Sequence, residues 1–230
     1  MRSKSDILTF LTEPGVIAVV RAQKPEQVFP LAEALIEGGV LAIEITMTTP
    51  GAIGVIREIS RKLGSQAVVG VGTVLDAQTA RLALDAGAEF VVSPAMRPEI
   101  AKAAQAADRP VMLGAFTPTE AQAAYEAGSD FIKIFPADTL GPRYIKAILA
   151  PLPHLRIIPT GIAKPEDITA FIKAGCVGVG LGSLLIPPQA LHDGNWPEFT
   201  RLAKQFAGLV AQARQPGTTA GLAQVARTAA

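Results

Sequence analysis

The sequence predicts an α/β protein built as one (β/α)8 barrel, and three observations predict it. At 230 residues the chain has the usual size of such a barrel. Short apolar runs alternate with longer amphipathic ones through eight successive units. The composition is 49% apolar but only 5% aromatic, so Ala, Val, Ile and Leu supply the core, a mix suited to buried parallel strands wrapped by Ala-rich helices.

Residues 5–11 read as a short N-terminal capping helix ahead of the first strand. Residues 16–21 are that strand, followed by a helix that opens near Pro25 and closes at Gly38-Gly39. Residues 41–46 form the second strand, and Pro50 opens a helix that runs to about Leu63. Residues 67–71 form the third; Asp76 is positioned to cap the next helix, which ends at Gly87. Strands follow at 89–92, 111–114, 130–135, 156–159 and 177–181, with helices starting near Pro98, Pro118, Pro142, Pro165 and Asn195.

Proline in the first turn of a helix and glycine just past its end is the expected asymmetry. Ala86-Gly87-Ala88, Ala127-Gly128-Ser129 and Ala174-Gly175-Cys176 each stand between a helix and a strand. With Gly38-Gly39 they recur roughly every 40–50 residues, about two βα units apart. Right-handed crossovers between parallel strands then make closure into a TIM-type barrel the simplest solution. A doubly wound open sheet is the structural rival, but the Arg21-Ala22-Gln23-Lys24-Pro25 turn lacks the glycines of a dinucleotide fingerprint. The expected organisation is one barrel over residues 1–214 and a flexible tail over 215–230, with a weak helix at 222–227.

With 21 basic and 20 acidic residues, the balance argues against a nucleic-acid or membrane-surface partner. No apolar run approaches the roughly 20 residues that span a bilayer. The N-terminal apolar stretch is broken at once by Thr12-Glu13-Pro14-Gly15, unlike a signal peptide. The single Cys176 can form neither an internal disulfide nor a Cys-rich metal site. These features fit a cytoplasmic protein. His154 and His192 stand alone in loop-like stretches without a second ligand at metal spacing, so they read as surface histidines and no metal site is expected.

In a barrel, inward side chains alternate with outward ones, and sites gather at the C-terminal ends of the strands. Polar residues late in apolar strands therefore stand out. Lys133 sits at the centre of Phe131-Ile132-Lys133-Ile134-Phe135. A lysine is rarely kept in a buried strand without a task or a partner, and a neutral amine is the nucleophile that attacks a carbonyl. Glu44 lies in Leu41-Ala42-Ile43-Glu44-Ile45-Thr46, where Ala42, Glu44 and Thr46 share the parity expected to face the interior. It is a candidate acid/base aimed at the same space; a structural Lys133–Glu44 ion pair, or a lysine whose head snorkels out, is the less favoured alternative that the pattern leaves open. Arg21, closing the first strand, can hold a carboxylate or phosphate in a bidentate fork, or be a solvated loop residue. Thr73, beyond the third strand, offers a hydroxyl. Glycine-containing turns follow the seventh and eighth strands at Gly161-Ile162 and Gly182-Ser183, where many barrels bind phosphate through backbone N–H groups and a short extra helix. Residues 183–186 are expected to form that helix.

These residues together resemble the 2-keto-3-deoxy-6-phosphogluconate (KDPG) / 4-hydroxy-2-oxoglutarate (KHG) aldolase family, including its 6-phosphogalactonate branch, over residues 14–212. The resemblance rests on Val19-Val20-Arg21, Glu44-Ile45-Thr46, Gly72-Thr73-Val74, Val92-Ser93-Pro94, Thr117-Pro118-Thr119-Glu120, Lys133-Ile134-Phe135-Pro136, Pro159-Thr160-Gly161 and Gly180-Leu181-Gly182-Ser183. It implies a Schiff base on Lys133, acid/base work by Glu44, and keto-acid binding by Arg21, Thr73 and Pro94. It also implies phosphate binding at Gly161, Ile162, Gly182 and Ser183, and a homotrimer acting on a small 2-keto acid without metal or organic cofactor. Oxaloacetate decarboxylation is a possible side activity of the same iminium. An aldolase of 4-hydroxy-2-oxoglutarate or another unphosphorylated 2-keto acid, an isomerase or epimerase barrel, and a non-catalytic oligomeric barrel are the alternatives. The chain departs from the family where Ile162 replaces a common glycine, which bears on phosphate approach, and where Thr48 stands in place of an arginine found in some members.

Overall fold

The computed structural model describes residues 2–215. Eight parallel strands, β1 (Val16–Val20), β2 (Ala42–Thr46), β3 (Val68–Gly72), β4 (Phe90–Val92), β5 (Val111–Ala115), β6 (Phe131–Ile134), β7 (Ile157–Pro159) and β8 (Val179–Leu181), pair in the order β7-β6-β5-β4-β3-β2-β1-β8. A bridge between Thr160 and Gly180 brings β7 against β8 and closes the ring. The fold is thus the (β/α)8 barrel that the alternation of apolar runs predicts. Several strands are a residue or two shorter than expected; Arg21 lies just past the end of β1.

The helices are α1 (Lys4–Thr12), α2 (Val28–Glu37), α3 (Ala52–Leu63), α4 (Ala77–Asp85), α5 (Pro98–Ala106), α6 (Pro118–Glu126), α7 (Ala137–Leu149), α8 (Pro165–Lys173), α9 (Pro188–His192) and α10 (Trp196–Arg214). Their ends follow local chemistry. Ser3 and Asp6 cap α1 reciprocally, Thr117 and Glu120 do the same for α6, and Asp76 Oδ1 accepts from the Thr79 amide (2.7 Å) to open α4. At the other ends Gly87, Gly128 and Gly175 take left-handed backbone, and the next amide reaches back five residues, as Ala88 N–H does to the Ala83 carbonyl (3.0 Å). The same closure ends α5 with Asp108 (φ 53°) in the glycine's place. Helix α7 starts one turn before Pro142, with a break at Gly141 (φ 71°).

Burial splits by strand parity. Ile43, Ile45, Val69, Val71, Ile132 and Ile134 face the helices, while Ile17, Ala42, Val68, Phe90, Met112, Phe131 and Ile158 fill the barrel. Helix α1 plugs one end of that interior, burying Ile7 and Leu11 completely within it. Burying each of these side chains is worth about 1.5–3 kcal/mol. The bottom of the barrel is thereby sealed with hydrocarbon, and polar interior residues are left for the other end.

Besides the earlier start of α7, the helix expected at 183–186 is corrected. Residues 183–186 form a single hydrogen-bonded turn, with Leu185 and Ile186 N–H both donating to the Gly182 carbonyl, and the short extra helix is α9, beginning at Pro188. Pro187 and Pro188 explain the shift: a proline disfavours helical backbone in the residue before it, yet suits the first position of a new helix. The tail expected from Gln215 onward, including the helix at 222–227, lies outside the described residues apart from Gln215 itself.

Candidate functional site

Interior parity carries Glu44 on β2 and Lys133 on β6 into the barrel above its apolar filling, and their side chains meet. Lys133 Nζ stands 3.7 Å from Glu44 Oε1, with the two side chains 6% and 3% exposed. That separation is within reach of a charge pair and too long for a hydrogen bond. Glu44 Oε1 is fully buried and has no hydrogen-bond partner among the described residues. A buried carboxylate oxygen left in this condition is costly, so the pair is better suited to receive a polar group than to hold the fold together.

Backbone without side chains makes the room. A β-carbon on Gly72 would collide with the Glu44 carboxylate, and one on Gly114, the sheet neighbour of Lys133, would strike the Pro94 backbone. Thr73 follows Gly72 in left-handed backbone (φ 57°), an outlier for a β-branched residue. Phe135, two residues beyond Lys133, is 42% exposed and holds its ring 5.6 Å from Nζ.

Beside this pair opens a cavity of about 370 Å³ lined by Val19, Arg21, Phe135, Asp138, Thr160, Gly161, Ile162, Gly182 and Ser183 among others. It brings together Arg21 and all four residues expected at the phosphate loops; Lys133, Glu44, Thr73 and Pro94 are not among its walls. Gly161, not Ile162, takes the left-handed backbone (φ 84°), and the Ile162 side chain is buried in the core at 4% exposure. The isoleucine therefore does not carry the strain that the glycine-rich turn suggested. The Gly182 carbonyl opens the turn at 183–186 by accepting from the Leu185 (2.9 Å) and Ile186 (2.8 Å) amides. A larger cavity, about 730 Å³, is lined by Arg2, Arg57, Arg61, Glu89 and Arg109 at the N-terminal end of the strands, away from Lys133.

Arg21 is held by a neighbour that the sequence pattern did not single out for that part. Its Nε–H donates to Thr48 Oγ1 (3.0 Å), which lies 2.8 Å from Thr46 Oγ1. Asp138 likewise is not singled out by the sequence pattern, which starts the helix near Pro142 and leaves Asp138 in the connecting loop. Cys176 is buried, and burial pushes its thiol up to about 12. His154 lies on the surface against Tyr125 and Gln122, and His192 pairs with Asp193. Among the described residues no three His, Cys, Asp or Glu side chains group as a metal site, and no helix is long and apolar enough to cross a membrane.

Fold and site together define a parallel barrel with a lysine–glutamate pair in its mouth, next to a cavity lined by Arg21 and the turns after β7 and β8. The sequence model of the KDPG and KHG aldolase family matches residues 7–202. The chain is 34% identical to the KHG/KDPG aldolase of Escherichia coli over 88% of its length and 95% of that protein. It is 35% identical to the 2-dehydro-3-deoxy-6-phosphogalactonate aldolase of the same organism, over 75% and 84% of the two chains. A crystal structure of KDPG aldolase from Legionella pneumophila, with pyruvate captured as a covalent carbinolamine intermediate, superposes with a TM-score of 0.78 at 30% identity, covering 85% of this chain and 95% of that one. The chain belongs to the KDPG and KHG aldolase family, whose members are carbon–carbon lyases.

Proposed function

We propose that the protein is a class I aldolase that cleaves 2-dehydro-3-deoxy-6-phosphogluconate, or its galactonate epimer, to pyruvate and D-glyceraldehyde 3-phosphate through a Schiff base on Lys133. The observation that carries this reading is the buried Lys133 amine 3.7 Å from Glu44 Oε1, a buried oxygen with no hydrogen-bond partner among the described residues. In its neutral form Lys133 attacks the C2 ketone, and loss of water from the carbinolamine leaves an iminium. Glu44, directly or through a water, takes the proton of the C4 hydroxyl. The C3–C4 electron pair then flows into the iminium, leaving an enamine on the enzyme and releasing the aldehyde. Protonation of C3 and hydrolysis by water free pyruvate and restore the amine.

The iminium is the electron sink, so the chemistry calls for no metal or organic cofactor. Arg21, Thr73 and Pro94 hold the keto-acid end; the turns at Gly161-Ile162 and Gly182-Ser183 hold the phosphate. Oxaloacetate decarboxylation can use the same iminium. Family resemblance supports a homotrimer working in the cytoplasm on a small 2-keto acid. Steady-state assays of pyruvate release test substrate choice: the phosphorylated sugar acids should exceed 4-hydroxy-2-oxoglutarate in kcat/KM by at least tenfold. Equal or reversed preference would transfer the assignment to an aldolase that needs no phosphate.

A further inference from the structure

We infer that Thr48 is a positioning residue that sets Arg21 end-on to the cavity, so that the guanidinium takes a substrate oxyanion through Nη1 and Nη2 and not through its Nε edge. The direction of each bond follows from proton counting. Thr46 Oγ1 donates its one proton to the Val20 carbonyl (3.0 Å), so the proton in the 2.8 Å contact between Thr46 and Thr48 belongs to Thr48. Thr48 Oγ1 then accepts from Arg21 Nε–H at 3.0 Å. The order is Arg21 to Thr48 to Thr46 to Val20, with every hydroxyl proton assigned.

The bracket is rigid at its root. Thr46 is fully buried, Thr49 is 2% exposed and accepts from the Ala22 amide (3.2 Å), and the Thr49 amide closes the turn on the Thr46 carbonyl (2.9 Å). Val20, Arg21 and Ala22 are thus each tied to Thr46, Thr48 or Thr49 across the mouth. Arg21 itself is exposed, so without this anchor its long side chain would sample many rotamers. An arginine binds an oxyanion either by its two terminal nitrogens or by Nε with one of them. With Nε committed, only the end-on fork remains. Thr48 has spent its proton on Thr46 and accepts from Arg21, so it acts through the arginine. That the oxyanion is the keto-acid carboxylate and not the phosphate rests on the aldolase reading; the anchoring does not.

The test compares Thr48→Val, which keeps the shape and removes the hydroxyl, with Thr48→Ser, which keeps the hydroxyl. Two probes are used: pyruvate, as the concentration giving half-maximal borohydride adduct, and inorganic phosphate, as a competing ion. Thr48→Val should weaken one of the two by about tenfold, the lower end for a hydrogen bond to a charged group. The plateau of adduct should not change. Thr48→Ser should stay within about twofold of wild type, and Thr48→Val should add nothing in an Arg21→Met background. Weakening of pyruvate assigns the fork to the carboxylate, and weakening of phosphate assigns it to the phosphate. A Thr48→Val protein that binds both probes normally, or loses the same factor without Arg21, overturns the inference. If wild type forms no adduct, the aldolase reading fails, and the anchoring is still read by NMR: Arg21 Nε–H exchange with water should accelerate in Thr48→Val, and unchanged exchange would overturn it.

Discussion

The Glu44 carboxylate occupies the space that a β-carbon on Gly72 would take. The glycine on β3 and the glutamate on β2 are a matched pair, and the Gly-Thr-Val motif owes its first residue to this contact.

Gly72→Ala should therefore displace Glu44. Overpacking of this kind destabilises by about 1–3 kcal/mol, and a displaced acid/base should lower kcat by at least tenfold while borohydride still traps pyruvate on Lys133. Turnover and stability assays on the one variant check both parts. A variant with wild-type kcat would show that the Glu44 position is not critical.

Thr73 holds left-handed backbone at φ 57°, a conformation that costs a β-branched residue about 1–3 kcal/mol. Glycine adopts it freely but loses about 0.5–1 kcal/mol through its looser unfolded chain. Thr73→Gly should accordingly melt at or above the wild-type temperature while needing more pyruvate for half-maximal trapping. A melting temperature several degrees lower would mean that the side chain serves the fold.

Glu120 Oε2 accepts from the Phe116 amide (2.9 Å), the Thr117 amide (2.8 Å) and the Thr117 hydroxyl (2.8 Å). The Phe116 and Thr117 hydrogen bonds hold its carboxyl below the usual value. Because the folded value is lowered, the stabilisation is complete above the unfolded value, about 4.3, and fades as pH falls through the folded one. The site is exposed, so solvent screening keeps the effect small. Glu120→Gln should melt about 2 °C below wild type at pH 7, and the gap should narrow as pH falls below the unfolded value, ~4.3. A gap that is constant with pH would assign the loss to packing.

Much of this architecture was legible from residue order alone. Period-two alternation is enough to place Glu44 and Lys133 inside the barrel, because a strand buried on both faces leaves few other reasons for a charge. Gly87, Gly128 and Gly175 announce helix ends because no other residue adopts their backbone as readily. Asp108 makes the same closure unannounced, since an aspartate usually signals a start. The turn at 183–186 reads as a helix from sequence because Gly-Ser-Leu-Leu suits both, and the two prolines behind it decide. Ile162 looked like an obstacle to phosphate because residue type says nothing about direction; its side chain turns into the core. The grip of Thr48 on Arg21 depends on two strand ends meeting 27 residues apart, which no local pattern reports.

The central claim, a Schiff base on Lys133, is tested most directly by incubating the protein with pyruvate and sodium borohydride and mapping the product by peptide mass spectrometry. The account predicts one reduced pyruvyl adduct, on Lys133, absent from Lys133→Ala. No adduct, or the same adduct in the Lys133→Ala protein, would contradict it.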